Sequence, residues 1–452
     1  MKRTKKLKAN AKLIPKDDPE QPAEEKSVVL AKKDEPDSEP EWWRPIASKE
    51  RMDISRSANT FIRFRSPAAY RLALQGKAMS TFFPVQPNAE LGPAFMMMMG
   101  EVPKSPALAV AMDSATLTRL SHELDDNRLL MAGTRLYGDA LHLLGREINV
   151  PAPKRNDGAI VSTITVLQIC DFLNQMHISN ESWMQHAAGM VSLLQTSEVG
   201  KADTQWRPLL DTNFRAFHIW SGLISRKRID CSHAMGSLQS IAERVPGLLQ
   251  DCDEICDGSA SRTGRATTRT VMVVHALKAV EADLTQWAAN FSRNIRDAPY
   301  YIMPAEKANF EVQSTMKIFP YVFGFKDLIT AQDHVTCTAC LLTVRQAILK
   351  LDRVLSANIA ATPSDQAGDQ LRRQRQALMK TTGDCADSLC MSVPYLCRVE
   401  QGRFGLICAT GPVHLAQKFY ESSESGSKAK SKIAWCEEAG TWIRGKGVRT
   451  IE

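Results

Sequence analysis

The chain has 452 residues, 44% apolar and 24% charged, the balance of a soluble globular protein with enough apolar surface for a large core. No apolar run reaches the roughly 18 residues that a membrane-spanning helix needs, and the lysine-rich start lacks both the apolar stretch of a secretory signal and the Arg/Ser composition of a mitochondrial transit peptide. The formal charge of +7 is unevenly placed: residues 1–16 hold seven Lys or Arg and no acid, and residues 17–41 hold ten Asp or Glu against three Lys, so these blocks cancel and leave a mild excess on the rest, which does not by itself predict nucleic-acid binding.

Residues 1–58 are dominated by Lys, Glu, Asp and Pro. Such a segment cannot bury enough apolar area to offset its ordering entropy, which predicts a disordered tail, basic then acidic. Lys2, Arg3, Lys5, Lys6 and Lys8 have the composition of a nuclear-import signal or a phosphate-contacting patch, and equally of a solubilising tail. The acidic stretch from Glu35 ends in Trp42 and Trp43, the composition of a partner-binding segment or of a linker whose tryptophans dock on the body. DNA contact through this tail is expected to be weak, sequence-independent and salt-sensitive.

The body is expected over residues 59–447. Phe95 to Met99 read as a short buried helix. Ser105-Pro106 opens another, proline being suited to the first turn. Leu129, Ala132, Leu136, Ala140, Leu143 and Leu144 form one face of an amphipathic helix that stops before Pro151. Asp157 caps a helix that reaches about Leu173 and is apolar enough to be buried on most sides, and Ser179 caps one carrying Trp183, His186, Met190 and Leu194. Helices follow over 213–225 and 271–291. The polar, Gly/Ser-rich residues 252–267 between them predict a loop, with a sub-boundary near 252–268. Pro299 to Pro304 mark a break. The cleanest stripe is Cys337, Leu341, Val344, Ile348, Leu351 and Leu355, at alternating steps of four and three. Further helices are expected over 370–392, 411–421 and 431–443, and residues 448–452 as a short tail. No sustained two-residue alternation appears. The expected fold class is all-α, a large multi-helix domain with helical repeat-like packing.

Chemical motifs are mainly negatives. There is no H-E-x-x-H, no G-x-x-x-x-G-K-[ST], no G-x-G-x-x-G after a strand and no G-x-S-x-G. Eleven cysteines, the first at Cys170, are odd in number and irregularly spaced, which predicts reduced thiols rather than a disulfide framework. Cys337 and Cys340 have a metal or redox spacing but lie in a helical stripe without a second pair, so they read as buried structural thiols. Cys252 and Cys256 sit among acidic residues, a solvated loop rather than a metal clip. His186 follows Trp183 at helical spacing and reads as its hydrogen-bonded core partner, not as a catalytic base. No catalytic constellation is visible, and no enzyme activity is expected.

Five stretches taken in order carry a resemblance: Ser105-Pro106-Ala107-Leu108; Tyr137-Gly138-Asp139-Ala140-Leu141 with Leu144; Trp183-Met184-Gln185-His186-Ala187-Ala188-Gly189 with Leu193-Leu194; Phe319-Pro320 with Phe325; and Ser392-Val393-Pro394-Tyr395 with Gly402, Gly405, Pro412 and Trp435. From Phe82 to Gly447 they resemble the regulatory region of fungal binuclear zinc-cluster transcription factors. The resemblance implies a nuclear, all-helical, partner- or signal-responsive domain, with Tyr137, Trp183, His186, Gly189, Phe319, Pro320, Tyr395 and Trp435 as its structural motif residues. It also implies protein partners in the transcription machinery or a second transcription factor. In that family six cysteines hold two zinc ions and place a short helix on DNA. This sequence has no cysteine before Cys170, so no cofactor is expected of it. Either the cluster was lost or it lies upstream of the given start. The alternative reading is an interaction protein that kept the regulatory fold and modulates a zinc-cluster factor without reading DNA itself.

Overall fold

In the computed structural model, which describes residues 67–80, 82, 98–151, 154–173, 182–196, 215–228, 237–257, 264–293, 298–358, 365–422 and 427–451, helices begin where local chemistry starts them. After α1 (Pro67–Ser80), Ser105 holds an extended backbone, its Oγ accepts from the Leu108 N–H, and Pro106 opens α2 (Pro106–Leu124). Asp125, left-handed at φ 50°, ends α2, and Asp126 at once caps α3 (Asn127–Ile148). The two helices form a tight antiparallel pair. Ser105 Oγ also donates to the Glu147 carboxylate at 2.9 Å, tying the start of α2 to the end of α3. Ser105→Ala is therefore expected to lower stability by about 1–2 kcal/mol, read as a lower urea midpoint at unchanged slope.

The buried stripe of α3 is rotated from the expected one, running through Leu130, Gly133, Tyr137, Ala140 and Leu144. Gly133 sets it. A Cβ there would lie 2.6 Å from Thr118 Oγ1 and 3.1 Å from the Thr118 backbone nitrogen, so the helices meet where the side chain is missing rather than where leucine is densest. Ser114 Oγ seals the contact by donating to the Gly133 carbonyl at 2.8 Å. The next helix, α4 (Asp157–Leu173), is buried all round from Ala159 to Leu173, as its composition predicts. Its cap is Asn156, whose Oδ1 accepts from the Ala159 N–H, while Asp157 pairs with Arg155.

Among the described residues four helices follow: α5 (Ser182–Thr196), α6 (Arg215–Ser225), α7 (Leu238–Ala242) and α8 (Val245–Cys256). Ser179, the expected cap of α5, lies outside the described residues, as do Phe95 to Met97; Met98 is fully buried in a helical turn. The expected loop over 252–267 is corrected, because α8 reaches Cys256 and α9 (Gly264–Ser292) starts within it. Val245, Leu249, Cys252 and Ile255 recur at three- and four-residue steps and are buried. The acidic residues that suggested a loop are the solvent face of this helix. There Asp253 meets Arg226 and Lys350, Asp251 meets Arg228 and Arg269, and Glu254 meets Arg269.

A two-stranded antiparallel ribbon interrupts the helices, β1 (Tyr300–Pro304) against β2 (Tyr321–Phe325), with Tyr300 opposite Phe325 and Pro304 opposite Tyr321. The flanking prolines read as breaks in the sequence, and five-residue strands are too short to show alternation. Packing holds the ribbon. The rings of Tyr300, Phe323 and Phe325 surround His334 at centroid distances of 5.1, 5.1 and 5.3 Å. A short α10 (Thr315–Ile318) lies between the strands.

Four long helices complete the body: α11 (Leu328–Asn358), α12 (Asp365–Leu396), α13 (Gly402–Ser422) and α14 (Ser427–Gly445). Between Val335 and Val344, α11 is buried on every side, and α8, α9, α12 and α13 pack around it. Helices consecutive in sequence are neighbours in space along this half, α11 with α12, α12 with α13 and α13 with α14. Among the described residues the fold is all-α apart from the ribbon, with a large apolar core reaching from Phe82 to Val448 and a small second cluster of Ala305, Ala308 and Val322. Residues 448–451 do not form a tail: Val448 is fully buried, and the Arg449 N–H donates to the Phe172 carbonyl at 2.8 Å. Residues 64–452 make one unit and residues 1–63 another. The expected disordered segment, with Lys2, Arg3, Lys5, Lys6, Lys8, Trp42 and Trp43, lies outside the described residues. Among the described residues no helix is long and apolar enough to cross a membrane.

Candidate functional site

Two of the motif residues meet. Tyr137 on α3 places its hydroxyl 2.8 Å from Asp171 Oδ1 on α4 and 2.8 Å from His186 Nε2 on α5. One hydroxyl proton serves two partners, so Tyr137 donates to one and accepts from the other. With Asp171 ionised, Tyr137 donates to it and the Nε2–H tautomer of His186 donates back. With Asp171 protonated, the direction reverses. Burial pushes the Asp171 carboxyl up to about 7, against the lowering pull of Tyr137, Ser182 and Arg449. Burial pulls the His186 imidazole down to about 4, so at neutral pH His186 is uncharged and its 3.5 Å approach to Asp171 Oδ2 is not an ion pair. Burial, with Asp171 beside it, raises Tyr137. The expected His186–Trp183 pairing is thus replaced: His186 bonds Tyr137, and Trp183 packs on Phe172 with ring centroids 5.4 Å apart.

The remaining motif residues divide into joints and surface positions. Trp435 on α14 is fully buried, T-shaped against Phe319 at 5.0 Å, and donates through Nε1 to Thr315 Oγ1 at 2.9 Å. Tyr395, one residue after Pro394 inside α12, is T-shaped against Phe325 at 5.1 Å. Pro320 is exposed, and its carbonyl accepts from the Ala305 N–H. Gly189 is exposed, with nothing near the place a Cβ would take.

Zinc, the metal that the resemblance implies, finds no donor set among the described residues: no three His, Cys, Asp or Glu side chains gather there to hold a metal ion. The ten described cysteines are free thiols. Burial pushes Cys337 up to about 12 and Cys340 well above its ordinary value, the direction of buried structural thiols.

A feature the sequence did not disclose is a cleft of about 880 Å³ lined by Lys307, Glu311, Arg398, Glu400, Arg403, Trp442, Arg444 and Lys446, among others. It is assembled from the segment after β1, the turn between α12 and α13, and the end of α14. No single stretch of sequence shows the charge cluster, because its cations come from three segments more than forty residues apart at the closest. A second, smaller cavity of about 30 Å³ lies between Trp183, Trp220, Gln332 and Cys408, room for a water molecule but not for a metabolite.

Comparison with known proteins gives no family: no family model matches the chain, no curated protein matches it, and no solved structure matches it.

Proposed function

We propose that the chain is a transcriptional regulator of the zinc-cluster type, acting in the nucleus through its helical body as a partner- or signal-responsive module. The observation that supports this reading is where its motif residues lie. Tyr137 with His186, Phe319 with Trp435, and Phe325 with Tyr395 are distant in sequence, and each pair meets as a joint between elements of one core. A motif set that forms the joints of a body specifies a fold, and a fold of this kind serves as a binding scaffold. The polar node of Tyr137, Asp171 and His186 is sealed within it, and the wide opening is a cleft of fixed cations. Binding rather than turnover suits that geometry. The alternative, an interaction protein that modulates a DNA-bound partner, uses the same scaffold.

The test is the full chain fused to a heterologous DNA-binding module in a fungal host, with a reporter carrying that module's site. Transcription is expected to change several-fold, up or down, against the module alone. An unchanged reporter with the fusion present in the nucleus overturns the regulatory reading.

A further inference from the structure

We propose that the cleft between the segment after β1, the α12–α13 turn and the end of α14 is a binding site for a small soluble polyanion carrying two or more phosphate groups. The site stands apart from the transcriptional reading, since binding is measurable whether or not the chain regulates genes.

Charge is the first argument. Lys307, Arg398, Arg403, Arg444 and Lys446 line the cleft against Glu311 and Glu400, an excess of three positive charges. The contrast with α8 is direct. There Arg226, Arg228, Arg269 and Lys350 each meet a carboxylate. In the cleft Lys446 reaches Glu311 at 3.2 Å. Arg403 Nη1 donates to the Lys446 carbonyl at 2.7 Å. Arg398 rests over the Tyr395 ring at 5.2 Å and reaches the Met303 sulfur. Neither guanidinium has a carboxylate within ion-pair distance among the described residues, and the same is true of Lys307. Clustered cations without counter-ions repel one another, and an anion between them removes that repulsion. Burial, and after it the neighbouring Arg119, pulls Arg403 down to about 10 against the raising effect of Glu123.

Preorganisation is the second argument. The backbone turns at Gly447 with φ 78°, where a Cβ would lie 2.8 Å from Arg403 Nη1 and 3.2 Å from the His122 ring. A residue with no side chain leaves that space to the guanidinium. Arg398 is held by its aromatic and sulfur contacts and Arg403 by a carbonyl, so little ordering entropy is left to lose when a ligand enters. Phosphate fits these groups better than carboxylate. It brings nearly two charges and several oxygens to planar guanidinium forks that bind bidentately, and two phosphates match an excess of three charges. At about 880 Å³ the cleft suits a small molecule.

The experiment is calorimetric titration of the full chain with sodium tripolyphosphate, at low and at physiological salt. One site per chain is expected, weakening as salt rises. Lys307→Gln, at an exposed position that carries no packing, is expected to weaken binding several-fold. Lys307→Gln with Arg398→Gln is expected to weaken it at least tenfold, with an unchanged far-ultraviolet spectrum. Arg373→Gln, an exposed cation on α12 outside the cleft, is expected to change nothing. The proposal is overturned by no saturable binding, by more than one site per chain, by equal losses in Arg373→Gln and Lys307→Gln, or by citrate at matched ionic strength binding as tightly as tripolyphosphate.

Discussion

Trp435→Ala is expected to remove about 3–5 kcal/mol of folding stability, the range for truncating a fully buried large aromatic. Three losses coincide. The cavity opens at a position with no exposure, the T-shaped contact with Phe319 disappears, and Thr315 Oγ1 loses the indole N–H that donates to it. For a protein of ordinary stability that is a large fraction of the total. Trp435→Phe keeps a ring against Phe319 and loses the hydrogen bond, so a smaller loss is expected. Urea unfolding followed by circular dichroism measures both. A Trp435→Ala cost under about 1 kcal/mol would mean that α14 is not held to the ribbon segment through this side chain.

The second large effect is a pair of opposed pH slopes. The Asp171 carboxyl is raised from an ordinary 3.8 to about 7 and the His186 imidazole is lowered from 6.5 to about 4. Between pH 4 and 6.5 the folded node holds its proton on Asp171, whereas the unfolded chain holds one on His186. Folding therefore moves a proton between the two residues with no net uptake, and their contributions to the pH dependence cancel. Single substitutions expose each limb. A raised carboxyl makes stability fall as pH rises through the window, so relative to wild type Asp171→Asn is expected to gain stability from pH 4 to 7. A depressed imidazole makes stability rise over the window, so His186→Gln is expected to lose stability relative to wild type from pH 4 to 6.5. Each slope has an upper limit of about 1.4 kcal/mol per pH unit. Difference curves against wild type remove the common contribution of other groups, such as Asp333 and His334. Two flat difference curves would show that the node does not titrate with folding.

Long helices were legible in the sequence where they are apolar at helical spacing. The stripe from Cys337 to Leu351 and the all-round burial of α4 follow from residue order alone. What was hidden has physical reasons. A glycine sets the contact line of α3, and its role is visible only from Thr118 on the opposing helix. The solvent face of α8 carries so many acids that its apolar face is outweighed in a composition reading. The ribbon depends on rings packed round His334 rather than on alternation. At the candidate sites, Tyr137 and His186 were singled out separately but not as partners, because Asp171, which completes the node, is one of several polar residues in a mostly apolar helix. The cleft was invisible for the same reason: its cations are single residues in unremarkable contexts until the chain folds.

The burial of Val448 and the hydrogen bond of Arg449 have a consequence for synthesis. Val448 inserts into the core and Arg449 bonds to Phe172, a residue translated far earlier. A ribosome releases the N-terminal helices first, at about 5–20 residues per second, yet the Phe172 carbonyl has no partner from this segment until residues 448 and 449 have been translated and have cleared the exit tunnel. The nascent chain thus spends many seconds with α4, its most apolar helix, lacking its final cover, which is when a holding chaperone has most to bind. A chain stopped before residue 448 would lack this closing contact and would stay in that state.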